Sequence, residues 1–344
     1  MNRDHALYFP YINVPSSAWF TQALLYWDSV RTIVPTDFRN SQFELNEYTR
    51  AVLEEGLVES LFPPQYLYRI PAFRDEFIGL LERHLQNPAF RRRIARRTDV
   101  ASVHVQKLNE LVTELQHRKL ATAPVDGWVK MPGWLANLFM TYLAASLGQV
   151  ANCDTTPITN QPECWAHLAG SAITMADGGD ARLQLPRDQI LAIALPVPAT
   201  LPDPKTLAAF KRKHRPLLRR LRLEVEAAAA AVSTAKSPVA QKAILQRARV
   251  EIDEQIAEVM DAMRSKWKVV LWKTLAALPA GFGAGKAFTG APVSATEAGF
   301  AALSALMAVQ QAMASAEAHD RVIRGAPYAY AAAYRVHLGL GRRG

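Results

Sequence analysis

The sequence predicts a mainly α protein with an N-terminal α/β portion: a small parallel βαβ sheet, then a helical domain built on a long αα-hairpin. Three observations carry this. Strand, helix and strand patterns follow one another within the first ~35 residues. After Pro204, apolar residues recur every three or four positions over more than 60 residues. Of 344 residues, 50% are hydrophobic and 21% charged, which excludes wholesale disorder and suits a chain able to bury a core.

Residues 6–12 are apolar and aromatic and read as a strand, with Pro10 excluding a central hydrogen-bonded position at its end. Ser16 or Ser17 caps a helix carrying Trp19, Phe20, Ala23, Leu24 and Trp27. Thr32–Val34 is a short strand stopped by Pro35. Ser41 and Glu44 fit a capping box for a helix through Leu45, Tyr48, Val52 and Leu53, which Gly56 ends. Leu57 to Phe62 is a third strand before Pro63 and Pro64.

Helices are expected from Ala72 through Leu85, from Ser102 to Lys119 and from Trp134 to Val150, the last apolar on most sides. Residues 152–187 lack periodicity and read as an irregular connection, followed by a strand over 190–197. From Pro204, the residues Leu207, Phe210, His214, Leu217, Leu221, Val225, Ala228 and Val232 form a near-heptad seam, which Pro216 should kink or divide. Ser237 and Pro238 open a second long helix through Leu245, Ile252, Ile256, Val259, Met263 and Trp267. The expected divisions are therefore 1–151, an α/β domain with helical extension; 152–203, a connector; and 204–344, a helical domain ending in an apolar hairpin.

The opening resembles an uncharacterised bacterial family known as a domain of unknown function. The likeness rests on Tyr8 to Tyr11 (Tyr-x-Pro-Tyr), Leu24 to Asp28 (Leu-Leu-Tyr-Trp-Asp) and Ile33 to Pro35 (Ile-Val-Pro). Met140 to Ala144, Phe210 to His214 and Pro327 to Tyr330 are also similar, although the family's Tyr-Met-x-x-Leu-Ala order is altered here to Met-Thr-Tyr-Leu-Ala. The resemblance implies architecture and no catalytic residues.

Charge is concentrated. Lys and Arg number 40 against 31 Asp and Glu, for a net +9. Arg91, Arg92, Arg93, Arg96 and Arg97 form one cluster, and residues 204–223 hold eight Lys and Arg with no acid. Lys211, Arg212, Arg215, Arg219 and Arg222 are accordingly expected to bind nucleic acid or another anionic surface, unless they simply solvate a helix face. Nucleic acid is the less favoured partner, because few aromatics that could stack on bases lie nearby.

From Thr274 to Ala316 the only charges are Lys286 and Glu297, and Trp267 and Trp272 stand beside lysines. Residues 269–316 are thus expected to meet an anionic membrane, with Trp267, Trp272 and Leu306 as contacts; the competing reading is a core hairpin. The segment from Gly281 to Lys286 lacks both the first glycine and the final Ser or Thr of a phosphate loop. Cys153, Cys164 and His167 match no compact metal motif, so no metal or cofactor is expected.

In an open parallel sheet, ligands sit beyond the C-terminal strand ends. Asn13 and Asp37 fall just past two such ends and, with Asp154, are the candidate ligand-binding residues. No complete catalytic motif is present, so no catalytic residue is assigned. The leading expectation is a non-enzymatic effector or assembly protein, cytoplasmic or peripheral to the inner membrane, that self-associates through its long helices and can engage a membrane through residues 269–316, with a protein partner as a further possibility. Second is an enzyme or nucleotide-binding module at the sheet edge, and third a nucleic-acid binder.

Overall fold

The structure, a computed structural model, describes residues 4–39, 45–150, 152–168, 172–277, 323 and 325–337. Strand β1 (His5–Tyr8) leads to helix α1 (Ala18–Tyr26), whose first turn is capped by Ser17 accepting from the Phe20 N–H at 3.2 Å. Strand β2 (Ser29–Ile33) follows, and then helix α2 (Glu47–Glu54). The N-cap of α2 is Asn46, which accepts from the Thr49 N–H at 2.7 Å; the expected box at Ser41 and Glu44 lies outside the described residues. Gly56 ends α2 with φ +68°. Its N–H reaches the Leu53 carbonyl at 3.0 Å, and the Leu57 N–H reaches Val52 at 3.0 Å. This pair of bonds is the Schellman closure, and it delivers the chain into β3 (Val58–Leu61).

Helices α3 (Pro64–Leu67), α4 (Phe73–Gln86) and α5 (Pro88–Ile94) come next. The helix expected over 102–119 is instead strand β4 (Val100–His104) and two short helices, α6 (Val105–Leu108) and α7 (Leu111–His117). Asn109, at φ +53°, breaks the helical run between them. Strand β5 (Trp128–Pro132) pairs antiparallel with β4 in a two-stranded ribbon. Helix α8 (Gly133–Gln149) is buried over nearly its whole length.

The region expected to be irregular contains β6 (Thr155–Ile158), a 3₁₀ stretch (Pro162–Leu168) and helix α9 (Ala172–Ala194). Helix α9 therefore replaces the strand expected over 190–197. Strand β6 completes a four-stranded, all-parallel sheet of order β3-β2-β1-β6. Pro157 pairs with Leu7 and is tolerated because β6 is an edge strand. Alternation along β1 divides the core. Leu7 and Phe9 join the apolar cluster of α4 and α8, whereas Tyr8 stacks edge-on with Phe20 of α1, ring centres 5.6 Å apart.

The long helix pair is α10 (Pro204–Thr234) and α11 (Pro238–Ala277), joined by a three-residue turn. Pro216 does not divide α10. Arg212, whose carbonyl loses its helical partner there, is exposed like Pro216 itself, so water can serve that carbonyl. Leu207, Phe210, Leu218, Leu221, Val225 and Val232 are buried along α10, as are Ile252, Ile256 and Val259 on α11. Helix α12 (Ala329–His337) packs against α11, and Arg335 donates to Asp253 at 3.0 Å.

Two compact units result. One comprises Met1–Ala192, Pro196–Lys213 and Ala228–Ala235; the other comprises Ile193–Leu195, His214–Ala227 and Lys236–Gly344. The parallel sheet and the ribbon belong to the first.

Candidate functional site

The strand order reverses direction at β1: β2 and β3 follow on one side, and β6 returns on the other. In such sheets a crevice opens beyond the C-terminal strand ends at that point. The chain leaving β1 there, Pro10 to Asn13, forms one wall of a cavity of about 330 Å³. Ala101, Ser102 and Val103 of β4, Trp128 of β5, and Ala136, Asn137 and Met140 of α8 form the others. Lys107 of α6 also lines it.

Lys107 is 3% exposed. Its amine has no hydrogen-bond or ion-pair partner among the described residues, although the nitrogen is not wholly sealed from solvent. Burial makes the ammonium form costly and pulls its pKa down from 10.5 to about 7. The amine is therefore substantially neutral near pH 7, whereas a lysine in water is almost wholly charged.

The neighbours of Lys107 are fixed by polar contacts at the end of β2. The Gln106 side chain donates to Asp37 Oδ1 at 2.9 Å and accepts from the Thr36 N–H at 2.6 Å. His104 Nδ1 accepts from the Gln106 N–H at 3.4 Å, which places its proton on Nε2, 3.5 Å from Asp37 Oδ2. The His104 ring packs edge-on against Trp128 at 5.1 Å and Phe38 at 6.4 Å, holding the indole at the cavity wall. The short helix α6 is thus pinned to the sheet edge by its first residues, and the lysine at its third position is directed inward.

Of the sequence candidates, Asn13 lines this cavity, and its Oδ1 accepts from the Asn46 N–H at 2.9 Å. Asp37 stands beside the site and acts through Gln106 and His104. Asp154 does not join them. It immediately precedes β6, whose Thr155 pairs with His5, and so lies at the opposite, N-terminal edge of the sheet. That strand is invisible to hydropathy because Pro157 interrupts it. Lys107 itself was missed, since it reads as a surface charge in an amphipathic helix.

The basic face is smaller than expected. Arg212, Arg215 and Arg219 are exposed, but Lys211 and Arg222 are buried, each 8% exposed. Lys211 donates to the Leu24 carbonyl at 2.7 Å. Arg91, Arg92, Arg93, Arg96 and Arg97 are all exposed on or just after α5. Trp267 and Trp272 fall within α11, but their side chains, like Leu306 and most of 269–316, lie outside the described residues. Among the described residues, no helix is long and apolar enough to cross a membrane. Cys153 and Cys164 are buried thiols, and no group of metal-ligating side chains is present among the described residues.

Comparison with known proteins returns no match to any family model, curated sequence or solved structure. The geometry of the Lys107 cavity therefore carries the functional argument by itself.

Proposed function

We propose that the sheet-bearing unit binds a small organic molecule in the Lys107 cavity, as an enzyme or a ligand-gated module. One observation carries this reading: Lys107, 3% exposed and without a partner for its amine among the described residues, lines a cavity beside the C-terminal end of β1, where the strand order reverses. Burying an unpaired amine costs stability. A purely structural position would be served better by methionine or leucine, so the cost points to use.

Saturation-transfer NMR with a fragment library on the full chain tests this. Fragments bound in the cavity should compete with one another and be lost in Ser102→Trp. Ser102 is exposed at the cavity wall, so a large ring there blocks the space without disturbing the core. If Ser102→Trp retains the binding of every hit, or no fragment binds, the reading fails.

The helix pair supports a second reading, self-association as an effector or assembly protein. Leu223 of α10 and Val239 and Val250 of α11 are 54%, 80% and 57% exposed, more apolar surface than two solvated helices need. A second copy of the chain is the proposed occupant; the near-heptad seam of α10 is already buried within the chain, so the exposed Leu223, Val239 and Val250 would carry the contact. Sedimentation at micromolar concentration should show a dimer or larger species that Val239→Glu with Val250→Glu weakens. A strict monomer overturns it.

A further inference from the structure

We infer that Lys107 forms a Schiff base with the carbonyl group of a small, uncharged aldehyde or ketone held in the cavity. This rests on the cavity being a ligand site and goes further, to the class of ligand and the bond it makes.

The chemistry of the lining selects that class. An anchored anion needs a lasting positive charge, and usually several donors, to repay its desolvation. Here Lys107 is, among the described residues, the one basic side chain on the cavity wall, and its ammonium form is the one that burial disfavours. Asp37, the carboxylate beside the site, is engaged by Gln106 and His104. Pro10, Ile12, Val103 and Met140 make most of the wall apolar, and the Trp128 indole supplies a face for a flat ligand. A neutral amine in an apolar cavity is a nucleophile toward carbonyl carbon, and that is how amines are activated for imine formation.

The step balances without a redox partner. The Nζ lone pair attacks the carbonyl carbon, the C=O π pair moves to oxygen, and a proton passes from nitrogen to oxygen to give a carbinolamine. The nitrogen lone pair then forms C=N as the hydroxyl leaves with a proton as water. One carbonyl and one amine become one imine and one water. Asn13 and Asn137 bring side-chain amides to the same cavity, groups of the right type to donate to the carbonyl oxygen.

Benzaldehyde with cyanoborohydride is the test. The full chain is treated at pH 7, and the labelled lysine is located by peptide mass spectrometry. Lys107 should be reductively benzylated about tenfold faster than exposed lysines such as Lys130, because its neutral fraction is far larger. Ser102→Trp should abolish that preference, and Lys130→Arg should leave it intact. Labelling of Lys107 no faster than that of Lys130 overturns the inference. If fragments still compete for the cavity in that case, the ligand site stands and only the covalent step falls; if they do not, both fall. Fast labelling of Lys107 that survives Ser102→Trp also overturns it, since the aldehyde would then be reaching the amine from outside the cavity.

Discussion

The Lys211 ammonium donates to the Leu24 carbonyl at 2.7 Å, across 187 residues of sequence. Leu24 lies in the last turn of α1, where carbonyls have no intrahelical partner and the helix dipole is negative. A buried cation there satisfies an orphan acceptor and ties the start of α10 to α1. It also removes Lys211 from the basic surface that the sequence suggests.

Lys211→Met keeps the aliphatic stem and deletes the donor, leaving the Leu24 carbonyl buried and unpaired. It should cost about 1–3 kcal/mol in urea unfolding. Any interaction of the chain with nucleic acid should keep its salt dependence in this variant and lose part of it when Arg212, Arg215 and Arg219 are changed to Ala together. Equal salt slopes in the two variants would assign no separate role to the exposed arginines.

Stability should depend on pH through Lys107. Its folded pKa, about 7, lies below the unfolded value of 10.5. Between those values the unfolded chain binds a proton that the folded chain does not, so stability rises with pH across the window. Above it both states are neutral, and the burial cost vanishes. Lys107→Met should therefore be more stable than the parent at pH 7, by several kcal/mol, with the gap closing as pH approaches 10. Denaturant melts of both proteins at pH 7, 8.5 and 10 measure it, and a gap independent of pH would refute the buried-amine assignment.

Asp188 is a half-buried ionisable group in the sheet-bearing unit. Burial pushes its carboxyl pKa up, opposed by hydrogen bonds from Trp19 and Gln184 and by the charge of Arg187. Trp19 Nε1 donates to Oδ2 at 3.0 Å, and Gln184 Nε2 lies 3.3 Å from the same oxygen. Trp19→Phe withdraws the shorter bond and should destabilise by about 2 kcal/mol at pH 7. Asp188→Asn keeps an acceptor and removes the charge, so it should cost less than Trp19→Phe. The difference should shrink as pH falls, because the raised pKa makes the native carboxyl take up its proton earlier than a free one. Thermal melts at pH 7 and pH 4 separate the two.

Gly127 precedes β5 at φ +80°, and a β-carbon there would stand 2.7 Å from His104 Nε2. Gly127→Ala should combine backbone strain with displacement of His104, and so loosen the wall that carries Trp128. Gly56, at φ +68° with nothing near its missing β-carbon, provides the control. Gly56→Ala should cost about 1 kcal/mol and leave ligand binding unchanged, whereas Gly127→Ala should weaken fragment binding as well. Equal effects on binding would detach His104 from the site.

Much of the architecture is legible along the chain because it is local. Apolar spacing alone marks α4, α8 and the long pair α10 and α11. Ser17, Gly56 and Ser237 act at helix ends through bonds spanning three or four residues, so their roles can be read directly. Strands β1 to β3 are each followed two residues later by a proline, Pro10, Pro35 or Pro63, and the expected segments overlap them only in part, since β2 begins at Ser29 rather than Thr32. The rule for parallel strand ends alone points to Asn13, which lines the cavity beside β1.

The rest was decided by pairings far apart in sequence. Strand β6 contains a proline and becomes a strand only because β1, 150 residues earlier, offers it an edge. Without it the sheet has no reversal of order, and Asp154 is assigned to the wrong end. The segment Val105 to Leu108 is amphipathic and puts Lys107 where a helix would face water, yet the ribbon and α8 close over it. Burial of one charged side chain leaves no local trace, because its cost is met by the whole fold. Apolar periodicity thus marked the long helices α4, α8, α10 and α11, whereas long-range packing decided that Lys107 is buried.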